Sequence, residues 1–75
     1  MFEKIKELLI DEMQVDEKLI TPDAELVNDL GINSLELADL VMLCEEKFGV
    51  VIDDDEAQNF VTVEDVVNYL ENKAN

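Results

Sequence analysis

Apolar residues return at spacings of three and four near the start of the chain, where Phe2, Ile5, Leu8, Leu9 and Met13 fall on one side of a helix predicted over residues 2 to 14. Such a helix needs something to cover it. From Val15 to Asn33 no strong period continues. Thr21-Pro22 offers an N-cap with proline at the first helical position, so this stretch reads as a long loop holding one short helical turn. Leu26, Val27, Leu30 and Ile32 are expected to tack it onto the core.

The clearest helical segment covers residues 34 to 48, with Gly49 placed for a left-handed cap. At about 100° per residue from Ser34, the side chains of Leu37, Leu40, Val41, Cys44 and Phe48 fall within an arc of roughly 100°, the expected buried stripe. Glu36, Asp39 and Glu46 lie on the opposite side, with Leu35 and Met42 beside them in water. A short acidic helix is predicted around Asp54 to Phe60 and a last one from Val63 to Asn72, opened by Thr62 with Asp65 three residues on, in the manner of a capping box. Val63, Val66, Val67 and Leu70 supply its apolar face. Period two is absent except for the brief Val50-Val51-Ile52 run, which reads as an extended connector. The expected fold is all-α: a small bundle of three main helices plus one short helix, with a long loop between the first and second.

Composition changes the picture in two ways. Seventy-five residues leave room for a single domain, 1–75, without separate catalytic and binding halves. Twenty acidic residues against five lysines give a formal charge of −15, which repels nucleic acid and anionic lipid and favours a basic protein surface as partner. The 48% hydrophobic content is still ample for folding. With no histidine the usual general base and neutral metal ligand are missing, so an enzyme with its own active site is the weakest reading. The single cysteine and the charge-interrupted N-terminus point to a reducing cytoplasm, with no signal peptide or membrane insertion.

The segment Asp29-Leu30-Gly31-Ile32-Asn33-Ser34-Leu35-Glu36-Leu37 carries the chemistry. Asn33 suits the N-cap because Glu36 lies three residues on, which leaves the Ser34 hydroxyl at the first helical position with no capping duty. A phosphodiester on that oxygen would sit beside unpaired amides at the positive end of a helix. Ordinary surface serine remains the alternative on geometry alone.

Aspartate-leucine-glycine, two residues, then serine-leucine at the head of an acidic helix resembles an acyl carrier protein of type II fatty acid synthesis. The resemblance runs from the first amphipathic helix, through Glu45-Glu46-Lys47-Phe48 and the acidic stretch Ile52 to Ala57, to the closing Thr62 to Leu70 segment. It implies that Ser34 receives 4′-phosphopantetheine from coenzyme A and that acyl groups ride on the arm as thioesters. It also implies that a phosphopantetheinyl transferase and fatty acid synthesis enzymes dock through basic patches, here onto Glu36, Asp39 and Glu46 with Leu35 and Met42 as apolar contacts and Asn33 beside the serine. The carrier is expected to be a monomer. The family's acyl pocket maps onto Leu26, Val27, Leu37, Leu40, Cys44, Ile52, Ala57, Phe60 and Val66, for which ordinary core packing is the alternative.

One departure is Asn33, where the family usually has aspartate. Asparagine caps equally well, but a transferase reading that carboxylate would lose a charge-assisted hydrogen bond, commonly about 1.5 to 3 kcal/mol. Two rival readings remain: a carrier of polyketide, aminoacyl or peptidyl cargo, and an unmodified acidic helical adaptor that would tolerate Ser34→Ala. Cys44, central in the buried arc, is expected to be inert core. Asp53-Asp54-Asp55-Glu56 lacks the glycine and distant glutamate of a calcium loop and reads as a helix-start cluster rather than a metal site.

Overall fold

A computed structural model describes residues 1–74. Helix α1 (Phe2–Met13) is followed by a 3₁₀ turn at Glu17–Leu19, then α2 (Ser34–Phe48), α3 (Asp54–Ala57) and α4 (Val63–Ala74). These are the three main helices and one short helix that the apolar periods predict. No helix among the described residues is long and apolar enough to cross a membrane.

Each long helix buries its apolar stripe. Ile5, Leu8 and Leu9 of α1 meet Leu40 and Cys44 of α2 and Val63, Val66, Val67 and Leu70 of α4 in one cluster. Burying a side chain such as Leu40 or Leu70 removes apolar surface worth about 1.5 to 3 kcal/mol. The stripe on α2 is narrower than its wheel suggests, because Leu37, Val41 and Phe48 are only half-buried at its edge. Gly49 closes α2 in the left-handed conformation at φ 64, where any other residue would be strained. The expected box opens α4: Thr62 Oγ1 accepts from Asp65 N at 3.2 Å, and Asp65 Oδ2 accepts from the amides of Thr62 at 3.1 Å and Val61 at 3.0 Å. Those donated bonds, backbone first, hold the Asp65 carboxyl below its ordinary value.

The first loop differs from expectation in three places. Its helical turn starts earlier, where Asp16 Oδ1 accepts from Lys18 N at 3.0 Å. Thr21-Pro22 makes a tight turn instead, closed by Ala24 N donating to Thr21 O at 3.1 Å, because the fixed φ of proline suits a β-turn as well as a helix start. Val27, expected in the core and in the acyl pocket, is 55% exposed, since Leu26 takes the inward position beside it and is fully buried. An isolated antiparallel bridge pairs Glu25 with Thr62, through Leu26 N to Val61 O at 2.8 Å and Val63 N to Ala24 O at 3.0 Å.

Helix α3 is shorter than expected and stops at Ala57. Beyond it Asn59 N and Phe60 N bond three residues back, to Glu56 O and Ala57 O at 3.1 Å each, and this tightening swings Phe60 into the core.

Candidate functional site

The loop delivers the head of α2 through a chain of local bonds. Asp29 Oδ2 accepts from Glu25 N at 2.7 Å, and the Asp29 and Leu30 amides return to Glu25 O at 2.9 and 3.1 Å. Gly31 then turns the backbone at φ 70, and Ile32, nearly fully buried, anchors the residue before the cap. Asn33 is the N-cap: its Oδ1 accepts from Glu36 N at 2.8 Å, while Glu36 Oε1 accepts from Asn33 N at 3.2 Å. The asparagine therefore completes the reciprocal box that its position predicts.

Ser34 is exposed at the first helical position. Among the described residues its hydroxyl makes no hydrogen bond, and the amides of Ser34 and Leu35 have no acceptor. Free amides at the positive end of a fifteen-residue helix favour an anionic group there.

From Ser34 an open groove of about 640 Å³ runs along α2. One wall is Leu37, Ala38, Val41, Met42 and Glu45; the other is Ile52 of the connector with Asp54, Ala57 and Gln58 of the α3 region. The connector wall is tied back by side chains. Glu45 Oε2 accepts from Ile52 N at 2.9 Å, and the Tyr69 hydroxyl donates to Val51 O at 3.3 Å. Glu56 lies near that hydroxyl as a competing acceptor, and its carboxylate, together with burial, pushes the phenol up to about 12 by favouring the protonated form. A hydroxyl has one proton, and with Val51 O receiving it Glu56 Oε2 is buried without a partner.

Of the residues expected to line an acyl pocket, Leu37, Ile52 and Ala57 do line this groove. Leu26, Leu40, Cys44, Phe60 and Val66 lie behind it in the closed core, and Val27 faces solvent. Ala38, Val41, Met42 and Glu45 complete the α2 wall instead. A wheel centred on Ser34 carries the missed signal: at about 100° per residue Ala38, Val41 and Glu45 return to within about 40° of the serine. Burial pushes the Cys44 thiol up to about 11, with the Glu45 charge adding, so the thiol stays protonated and unreactive near neutrality.

On the outer face of α2, Leu35 is 80% and Met42 57% exposed. Asn33, Asp39 and Glu46 are also exposed, and Glu36 is half-buried by its capping role. Among the described residues no cluster of three or more His, Cys, Asp or Glu has the geometry to hold a metal ion.

Comparison with known proteins adds sequence and fold kinship. The family model described as the phosphopantetheine attachment site matches residues 3–70. An acyl carrier protein of Petrotoga mobilis is 48% identical over 75 residues, all of this chain and 88% of that one. Another, from Solidesulfovibrio magneticus, is 45% identical over 71 residues, 95% of this chain and 91% of that one. A crystal structure of an acyl carrier protein from Thermotoga maritima matches with a TM-score of 0.84 at 27% identity, over 95% of this chain and 82% of that one.

Proposed function

The chain belongs to the acyl carrier protein family, whose members carry a covalently bound 4′-phosphopantetheine and catalyse nothing themselves, and on that premise we propose that it is a single carrier domain for fatty acid synthesis with Ser34 as its attachment point. The observation that carries this reading is the Ser34 hydroxyl, exposed and unengaged at the mouth of the groove because Asn33 and Glu36 have taken over the capping. The residues present fit a phosphodiester: a free oxygen, two amides without acceptors and a helix dipole of the right sign. When bound, the arm supplies a terminal thiol that holds acyl groups as thioesters.

The chain's own residues do three things in this reading. Asn33 and Glu36 hold the serine clear of the cap, and the Ala38, Val41 and Ile52 surface offers apolar cover beside it. The outer face, with Asp39, Glu46 and Glu36 around Leu35 and Met42, receives the transferase and the synthesis enzymes through basic patches. The carrier works as a cytoplasmic monomer, its acidic surface resisting self-association. Ala38 and Met42 beside Val41 give the groove an unbranched, adaptable side suited to a plain alkyl chain.

Incubation with coenzyme A and a phosphopantetheinyl transferase, followed by intact-mass measurement, tests the assignment. Wild type should gain one arm and Ser34→Ala none. Loading of the Ser34→Ala chain would overturn it. Asn33→Asp should load faster, since it restores a carboxylate beside the serine without disturbing the cap.

A further inference from the structure

An asparagine carboxamide can be attacked by the backbone nitrogen of the next residue, closing a five-membered imide. Closure strips that nitrogen of its proton, so a nitrogen already engaged in a hydrogen bond is held back. The asparagines of this chain differ on that point. Asn28 is followed by Asp29 N, which donates to Glu25 O at 2.9 Å, and Asn59 by Phe60 N, which donates to Ala57 O at 3.1 Å. Asn68 and Asn72 lie inside α4, where the following amides belong to the helix ladder. Among the described residues Asn33 alone is followed by a nitrogen without an acceptor, Ser34 N at the first position of α2. Proline is favoured at that position of a helix, so losing the N–H there breaks no bond.

The carboxamide is prepared as well. Asn33 Oδ1 accepts from Glu36 N at 2.8 Å, so charge developing on that oxygen during attack at Cγ meets a donor already aimed at it. The positive end of the helix favours release of the Ser34 N proton. Asn33, Ser34 and Leu35 are all exposed, so turning Asn33 ψ from 178 to bring nitrogen and carbon together displaces no packed side chain.

We propose that Asn33-Ser34 is a self-modification site, where the chain converts its own asparagine to aspartate and so acquires a carboxylate beside Ser34. Ser34 N gives its proton to water and bonds to Asn33 Cγ; the Cγ–Nδ2 bond breaks and the amide nitrogen leaves as ammonia. Water then adds at Cγ, the bond from Cγ to Ser34 N breaks, and the nitrogen regains a proton. The sum is carboxamide plus water to carboxylate plus ammonium. Because Glu36 N polarises the side-chain carbonyl, water adds there rather than at the main-chain carbonyl of Asn33, and aspartate forms in preference to isoaspartate. Aspartate keeps the cap. Its use in arm loading rests on the carrier reading above, whereas the conversion does not.

Incubation of the full chain in mildly alkaline, heavy-oxygen water, followed by peptide mapping that separates aspartate from isoaspartate, should find Asn33 converted before Asn28, Asn59, Asn68 or Asn72. Aspartate should be the larger product. Ser34→Pro, whose nitrogen has no proton to lose, should keep the cap and slow conversion at least about tenfold. In urea isoaspartate should become the larger product, since the donor to Oδ1 is then gone. Earlier conversion at another asparagine, no conversion by the time a free peptide of residues 30–37 has reacted, undiminished conversion of Ser34→Pro, or an isoaspartate majority in the folded chain would each overturn the site. Converted chain, separated by its extra negative charge, should accept the arm at least about threefold faster than unconverted chain, and equal loading would overturn the proposed use of the carboxylate. The carrier reading fails separately, by arm loading of Ser34→Ala.

Discussion

The two connectors that flank α2 are held by opposite means. Residues 14–33 look like slack in the sequence, yet they bury Val15, Ile20, Ala24, Leu26 and Ile32 and are bridged by backbone to the start of α4. The connector after Gly49 buries Ile52 alone, leaves Val51 74% exposed, and hangs from two side-chain bonds, one from Glu45 and one from Tyr69. The difference maps onto the proposed work. A serine offered to a transferase is served by a fixed position, which a buried loop supplies. A groove that takes and releases cargo is served by a wall that can yield, and side-chain tethers are easier to open than a packed backbone.

Truncating each connector at its inward or most prominent side chain gives the widest contrast. Leu26→Ala removes a fully buried leucine and should cost about 2 to 5 kcal/mol in chemical denaturation, whereas Val51→Ser should stay within about 0.5 kcal/mol. Equal costs would show that the second connector is as firmly built as the first.

Breaking the tethers should have an intermediate effect that stays local. Glu45→Gln leaves the geometry but removes the charge that strengthens the bond to Ile52 N, a change of about 1 kcal/mol at most because the strongly acidic surface also loses one repulsive charge. Amide hydrogen exchange at Ile52 should accelerate while exchange at Leu26 stays as it was. Glu56→Gln sharpens the same comparison at the other tether. The carboxylate raises the Tyr69 phenol by favouring its protonated, donating form, so removing it should bring the phenol down from about 12 towards 10, read by the ultraviolet titration of the chain's single tyrosine. An unmoved titration would mean that the hydroxyl belongs to Val51 O alone.

Legibility in the sequence follows the same division. Features fixed within four residues were readable: the apolar stripes of α1 and α4, the Asn33-Glu36 and Thr62-Asp65 boxes, Gly49, and with them the freedom of Ser34. Features that depend on distant partners were not. The Glu25–Thr62 bridge joins segments on opposite sides of α2 in the chain, and Pro22 can open a helix or a turn until that bridge decides. The groove was half legible for the same reason. Its α2 wall repeats with the helical period of Ser34, but its other wall depends on where α3 stops and how Glu45 draws in the connector.

The well-held first loop nevertheless begins with strain, and relieving it gives the smallest expected effect. Gln14 ends α1 in the left-handed conformation, φ 56 and ψ 38, and Val15 N donates to Leu9 O at 3.1 Å, closing the helix while Val15 turns into the core. Glycine commonly fills this position, and its absence hid the cap from a reading of the sequence. A side chain there costs about 1 to 2 kcal/mol. Glycine would recover that but returns about 0.5 to 1 kcal/mol to the unfolded chain as entropy. Gln14→Gly should therefore stabilise by roughly 0.5 kcal/mol, a rise of about 2 to 4 °C in Tm for a chain of this length. Gln14→Ala keeps the steric conflict and should give no gain. Were alanine to stabilise as much as glycine, the conformation of the cap would not be the cause, and the first loop would have no strained point to set against the tethered one.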